Sequence, residues 1–254
     1  EKKWRICIAD SDVLLFAKGI ASTKNLNTNI FETEINTLAV QGPKSFYLME
    51  KVFGKKIHDL KFFKFDFFEF DRNKYLISRS GYSKQGGFEI HIENIQAGLK
   101  LYDYFFHIGK DFNLKAGCPN LIERIEGGLL SYGNDMDIKD NPFECGFDKY
   151  IHLESDIIFL GKDNLKKIKA KGINKRLMGV KIEEKSINVT EEIKIFDLEN
   201  NQIGELRSAA YSPKFKKIVG VAMIKINFSK ISQKFQIKLN NKLALGEICS
   251  LPIL

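Results

Sequence analysis

Arginine is scarce in this sequence. Of 40 basic residues only six are arginine, namely Arg5, Arg72, Arg79, Arg124, Arg176 and Arg207, and they are scattered along the chain. Nucleic-acid recognition favours arginine forks and concentrated basic stripes, so the formal charge of +8 reads as dispersed lysine and no nucleic-acid partner is expected. A basic surface still helps to recruit a small anion. Cysteine and histidine are scarce too, with four of each. Cys7, Cys118, Cys145 and Cys249 show no paired spacing, and His58, His91, His107 and His152 form no close ligand pair. Zinc and iron–sulfur ligation are therefore not expected, and a reducing, cytoplasmic setting is. No apolar run approaches a membrane span, since "YLMEKVFG" and "SDIIFLGK" are soon broken by charge or glycine, so no membrane partner is expected. The opening "EKKWRICIAD" shows no signal-peptide pattern and no initiator Met, and it reads as the start of a fragment.

What is present is ordinary globular material. The 254 residues are 44% hydrophobic and 28% charged, enough for one large domain or two smaller ones. "WRICIADSDVLLFAKGIAS" reads as a strand, a polar turn and a helix capped by Ser11 or Asp12. "INTLAVQGPKSFYLMEKVFG" repeats that order, with a break at Gly42-Pro43 and a helix stopped by Gly54. "LKFFKFDFFEFDRNKYLISRS" alternates phenylalanine with polar residues and reads as two strands joined at Asp71-Arg72-Asn73. "IQAGLKLYDYFFHIGKDF" reads as an amphipathic helix with Leu99, Tyr102, Phe105 and Phe106 toward the core, and "NLIERIEGGLLSYG" as a helix ended by Gly133.

After about residue 165 the character changes. A charged helix end and linker, "NLKKIKAKGINKRL", leads to short strands with hairpin turns at Asn200-Asn201 and Asn240-Asn241. The fold class is α+β: mixed antiparallel sheet and helices, followed by an all-β module that is a small barrel or a jelly-roll-like sandwich.

The stretch with the most unusual grammar is "RSGYSKQGGFEI", Arg79 to Ile90. Alternating segments flank it, so it reads as a long hairpin in which Gly81, Gly86 and Gly87 supply unusual backbone angles and Glu89 starts the return strand. It joins strand to strand and so is no dinucleotide fingerprint. A phosphate loop, a G-x-S-x-G elbow and a His-Glu-x-x-His pattern are all missing. On spacing alone a glutamate here faces either water or a ligand.

The residues do carry a resemblance. "ISRSGYSKQGGFEIHIEN" resembles the hairpin Arg-Thr-Gly-Tyr-Thr-Gly-Glu-Asp-Gly-Phe-Glu of the aminomethyltransferase, or glycine cleavage T-protein, family. "RIEGGLLSYGNDMD" is similar to that family's Arg-Leu-Glu-Ala-Gly-x-x-Leu-Tyr-Gly-x-x-Met-Asp, "NPFECGFD" to its Pro-Leu-Glu-Ala-Gly, and "FLGKDNL" to its Phe-x-Gly-Lys-x-x-Leu. "AVQGPKS" and "GELRSAAYSP" fall in the same order, so the likeness spans essentially the whole chain. Within the family, Ser83-Lys84-Gln85-Gly86 replaces the acidic turn of the glycine-cleavage pattern and is similar to the branch that demethylates dimethylsulfoniopropionate. The Lys-Gly-Cys-x-x-Gly-Gln-Glu signature of the folate-binding iron–sulfur maintenance branch is absent.

The resemblance implies a fold of three domains in a ring around the folate. Here residues 1–40 would be a remnant of the central domain, 41–165 the folate-binding α+β domain and 166–254 a carboxy-terminal barrel. It implies that the chain begins inside the central domain, without the amino-terminal segment and its acidic residue near N5 of the folate. It implies tetrahydrofolate as methyl acceptor and dimethylsulfoniopropionate as small-molecule donor, with methylmercaptopropionate as product. Glu89 then takes the two N–H donors of the pterin edge and Tyr82 lines the folate, its flat ring suited to stacking. Arg124 either meets a carboxylate of folate or substrate or pairs with Glu123 or Glu126. Phe67 either lines the pocket or packs in the core. Tyr132 either reaches the substrate or closes its helix, and His91, two residues past Glu89, faces the sulfonium. The implied chemistry is alignment of N5, methyl carbon and sulfur in a dry pocket, so no catalytic nucleophile is assigned. An aminomethyltransferase of glycine or methylated-glycine breakdown, and a folate-binding protein without turnover, stand as alternatives.

Overall fold

The computed structural model describes residues 3–8, 13–187, 193–239 and 242–253. Its contacts divide the chain into two compact units, Ser11–Asn120 and Leu121–Leu254 with Glu1–Asp10.

In the first unit, α1 (Leu14–Thr23) precedes an antiparallel sheet of β1 (Asn36–Gln41), β2 (Phe65–Phe70), β3 (Asn73–Ser78) and β4 (Gly87–Ile92) in the order β1-β4-β3-β2. Strict alternation decides which side is covered. Phe88, Ile90 and Ile92 of β4, Tyr75 and Ile77 of β3 and Phe68 of β2 point into one core. Leu48 and Met49 of α2 (Ser45–Phe53) and Leu101 and Phe105 of α3 (Ile95–Ile108) complete it. Asn94 caps α3 by accepting from the Ala97 amide at 3.1 Å, and the Tyr75 hydroxyl donates to the Ala97 carbonyl at 3.1 Å. The β2–β3 turn falls at Asp71-Arg72, both with positive φ, as its sequence indicates.

Two expectations shift here. Residues 4–8 form no strand, and the cap residue of α1 is Val13; Ser11 and Asp12 lie outside the described residues. The inward face of α3 is Ala97, Gly98, Leu101 and Phe105, while Leu99 and Tyr102 are exposed. Three- and four-residue steps from Ala97 select that stripe, and Leu99 falls between them.

In the second unit, α4 (Leu121–Glu126), an irregular segment and α5 (Lys162–Lys171) lead into β5 (Lys175–Ile182), β6 (Ile193–Phe196), β7 (Gln202–Ser212), β8 (Lys217–Lys225), β9 (Lys234–Leu239) and β10 (Lys242–Cys249). These six strands close into a barrel in the order β10-β5-β8-β7-β6-β9, which settles barrel against sandwich. Asn200 takes positive φ in the β6–β7 turn; Asn240 and Asn241 lie outside the described residues. Ile218, Ala222 and Ile224 of β8 fill the barrel with Phe235, Ile237 and Ile248. Val219, Val221 and Met223 of the same strand pack outward on Ile125, Cys145 and Ile253.

That second layer makes packing divide the chain earlier than composition does. The composition changes at about 165, yet the segment from Leu121 belongs to the barrel's unit because it covers β8 and β7. The division expected at residue 40 falls inside β1, which pairs with β4 from Asn36 to Gln41. The helix expected to reach Gly133 stops at Glu126, where Gly128 turns with positive φ.

Buried charge ties the covering segment to the strands. The Asp140 carboxylate is fully buried between Lys175 of β5 and Arg207 of β7, with Arg207 Nη2 at 3.5 Å. A bulge between Leu206 and Ser208 takes Arg207 out of register with β8 and re-aims it toward Asp140. Burial opposes the Asp140 charge, but the hydrogen bond from Lys175 and the charges of Lys175 and Arg207 hold its carboxyl below the ordinary range. Burial also pushes the Cys145 and Cys249 thiols up to about 11, so neither is a thiolate nucleophile at neutral pH.

A carboxyl lowered on folding contributes stability that is complete above its unfolded pKa and is lost as pH falls through the folded value. The barrel unit is therefore expected to weaken as pH drops below about 4. Asp140→Asn leaves two cations against a neutral amide and is expected to cost about 3 kcal/mol in urea unfolding at neutral pH. It should also flatten that acid dependence.

Candidate folate-binding site

The open face of the first unit's sheet is set by cross-strand register. Ala39, Glu89, Ser78 and Phe65 form one row across the four strands, and Thr37, His91, Leu76 and Phe67 the next. Glu89 and His91 are half-buried and alternate with the buried Phe88, Ile90 and Ile92. The register therefore brings Glu89, His91 and Phe67, three of the residues singled out by sequence, onto one face. Phe67 is 46% exposed and does not pack in the core; its alternation with buried Phe68 places it outward, where Lys74 Nζ lies 4.7 Å from its ring centroid.

The hairpin from Arg79 to Gly87 stands at the end of this face. Backbone bonds from Arg79 to Lys64 and from Phe63 to Arg79 anchor its start, and the Arg79 guanidinium stacks 4.6 Å over Phe46. Its interior is organised by Gln41, at the end of β1. The Gln41 side-chain amide donates to the carbonyls of Ser80 (3.0 Å) and Phe88 (3.1 Å), and its Oε1 accepts from the Ser83 hydroxyl at 2.7 Å. One side chain thus holds both limbs of the turn. The clearance left by the glycines is filled by this amide: a Cβ on Gly81 would lie 2.0 Å from Gln41 Oε1, and one on Gly87 2.4 Å from the Val40 carbonyl oxygen. Their positive φ and the close approach of Gln41, rather than room for a ligand, explain these two positions.

Glu89 is seated by hydroxyls. The Ser80 hydroxyl donates to Glu89 Oε2 in a short bond, and Ser78 Oγ lies 2.8 Å from Ser80 Oγ. Tyr82 sits in the hairpin between Gly81 and Ser83, 38% exposed. Gln41, Ser78 and Ser80 were not singled out from sequence, because single polar residues at strand ends carry no periodic signal. The motif "AVQGPKS" did contain the glutamine.

Arg124 and Tyr132 belong to the other unit. Arg124 is 5% exposed; its Nη1 meets Asp135 Oδ2 at 2.5 Å and its Nη2 donates to Ser208 Oγ at 2.9 Å. Asp135, fully buried, also accepts from the Ser131 amide and the Ser208 hydroxyl. Arg124 thus fastens the turn after α4 to β7. Tyr132 is 44% exposed in an irregular segment six residues beyond the end of α4, so it does not close that helix. Among the described residues no group of three or more metal-ligating side chains occurs, and no helix is long and apolar enough to cross a membrane.

A sheet with a glutamate beneath a glycine hairpin, followed by a closed six-stranded barrel, has a counterpart in sequence. Residues 7–155 match the GCVT N-terminal domain, and residues 175–254 match the glycine cleavage T-protein C-terminal barrel domain. The chain belongs to the glycine cleavage T-protein family. It is 37% identical over 219 residues to the dimethylsulfoniopropionate demethylase DmdA of Ruegeria pomeroyi, covering 86% of this chain and 59% of that protein. It is 31% identical over 228 residues to the aminomethyltransferase of Thermoanaerobacter pseudethanolicus, covering 85% and 60%. The crystal structure of glycine cleavage system aminomethyltransferase T from Bartonella henselae superposes with a TM-score of 0.80 at 22% identity, over 95% of this chain and 66% of that one. At that identity the likeness is one of T-protein fold. The chain spans about three-fifths of the length of these two curated relatives.

Gly87→Ala puts a Cβ against the Val40 carbonyl and displaces the Gln41 amide. It is expected to destabilise the first unit by about 3 kcal/mol, read by thermal or urea unfolding, and to speed amide exchange through residues 80–88. A change within 0.5 kcal/mol would show that the hairpin does not depend on this clearance.

Proposed function

We propose that this chain carries the folate-binding and barrel parts of a tetrahydrofolate-dependent methyltransferase whose donor is dimethylsulfoniopropionate. The observation that carries the reading is Glu89, an oriented carboxylate beside His91 on the open sheet face that ends at the hairpin. A carboxylate has acceptor sites on both oxygens and no donor, so it suits an edge presenting two parallel N–H groups, which is what a 2-amino-4-oxo pterin offers. Ser80 occupies one acceptor site on Oε2 and leaves the carboxylate able to accept two more bonds. Exposed Phe67 and Tyr82 supply flat apolar surface for the ring systems. The residues present fit the group.

Tetrahydrofolate, when bound, supplies the N5 amine that takes the methyl group as the carbon–sulfur bond of the sulfonium breaks, the electron pair staying on the thioether and N5 losing its proton. Glu89 fixes the acceptor's orientation through the pterin edge. His91, on the same face and one row along, presents an aromatic ring to the sulfonium cation. The sulfonium is already electrophilic, so the protein's work is alignment and exclusion of water. Arg124 enters by holding its segment on the barrel through Asp135 and Ser208.

The donor assignment is supported by 37% identity to the demethylase, against 31% to the aminomethyltransferases, and by the turn Ser83-Lys84-Gln85-Gly86 in place of the acidic one. The second reading, aminomethyl transfer, is supported by those same 31% relatives.

The test is methyl transfer by the intact protein with tetrahydrofolate and dimethylsulfoniopropionate. The expected outcome is 5-methyltetrahydrofolate and methylmercaptopropionate, with KM for tetrahydrofolate raised about thirtyfold by Glu89→Gln. Tetrahydrofolate binding without these products, together with turnover of an aminomethyl-lipoyl donor, would move the protein to the second reading.

A further inference from the structure

The seat of Glu89 has more structure than binding a pterin requires. Ser80 Oγ carries one proton, and the carboxylate beside it only accepts, so that proton goes to Glu89 Oε2. Ser80 Oγ is then the acceptor of the 2.8 Å contact with Ser78 Oγ, and the Ser78 proton points at Ser80. The alternative partner of Ser78, the Glu89 backbone carbonyl, lies at 3.4 Å and is the weaker one. The charge on Glu89 thus fixes the direction of both hydroxyls, and each bond polarises the next. Ser78 is the cross-strand partner of Glu89, so the relay starts from the rigid ladder. Ser80 is two residues past the end of β3, where the ladder no longer constrains it. Its backbone is held instead by Gln41, which donates to the Ser80 carbonyl at 3.0 Å.

We propose that Ser80, oriented by Ser78 and by Gln41, is the positioning residue of the folate site. It locks the Glu89 carboxylate in one rotamer and thereby makes the site select ligands with two adjacent N–H donors. This rests on the folate reading above. Ser80 touches the carboxylate through its hydroxyl and acts on the ligand through Glu89. A carboxylate free to rotate loses the fixed orientation that a bidentate pair needs, and gives up rotamer entropy on binding. With Ser80 in place that freedom is removed before the ligand arrives. The contribution is to ground-state and transition-state binding alike, so it falls on KM rather than on kcat.

The experiment compares Ser80→Ala, Ser80→Thr and Glu89→Gln in the intact protein, with folding checked by thermal melting. Binding of 5-formyltetrahydrofolate, which keeps the pterin edge but does not accept a methyl, is measured by calorimetry beside its 2-desamino analogue. Ser80→Ala is expected to weaken the 5-formyl compound about tenfold, to leave the 2-desamino analogue within twofold, and to raise KM with kcat unchanged. Ser80→Thr, which keeps the hydroxyl, is expected to restore binding. Equal losses for both ligands, or no loss for either, would overturn the selectivity. Three-bond side-chain couplings of Glu89, measured without ligand, should show one rotamer in the unsubstituted protein and averaging in Ser80→Ala; unchanged couplings would overturn the positioning role. If the unsubstituted protein binds neither ligand, the folate reading fails and selectivity with it, while the couplings still decide whether Ser80 holds Glu89.

Discussion

One carboxamide organises the hairpin end of the first unit's sheet. Gln41 closes β1 and reaches across the mouth of the hairpin to the carbonyls on either side of it and to the Ser83 hydroxyl. A turn of this length has no ladder of its own, so its conformation has to be imposed from outside. The glutamine does so with three bonds from a strand that is already fixed by pairing with β4. The absence of a Cβ at Gly81 and Gly87 is the condition for that reach, and the placement of Ser80 over Glu89 is its result. Hairpin glycines, glutamine and carboxylate are one device.

The second unit solves a different problem, that of a strand buried on both sides. β8 gives one set of side chains to the barrel interior and the other to a layer built from Leu121 onward. A layer attached only by apolar contact could slide. Two buried ionic centres, Arg124–Asp135–Ser208 and Asp140 with Lys175 and Arg207, fix its register on β5 and β7. The bulge in β7 turns Arg207 toward Asp140, its acidic partner on the layer.

Much of this was legible in order and kind. The strand pairs, the glycine hairpin, the placement of Glu89 and His91 on one face and the all-β module all follow from alternation and turn residues. What escaped was non-local. The pairing of Arg124 with Asp135 depends on how a loop returns, and its local context offered Glu123 and Glu126 instead. The face of α3 was misphased because Leu99 and Tyr102 are apolar enough to imitate core, while the small Ala97 and Gly98 that touch the sheet are not conspicuous. Gln41 looked like part of a strand end. The layer over β8 escaped as well, since composition reports the chain's chemistry and not what it covers.

Topology gives the two units unequal exposure to their surroundings. A closed barrel offers no strand edge to another molecule, whereas β1 and β2 border the four-stranded sheet with one neighbour each. β2 also carries Phe65 and Phe67 on its open face, next to the exposed Phe62 and Phe63. Bordering strands and exposed phenylalanines thus coincide on the unit that carries Glu89. An added strand would find an edge at that aromatic border and none on the closed barrel wall. The surface proposed for a flat ligand is also one that a second flat ribbon would recognise.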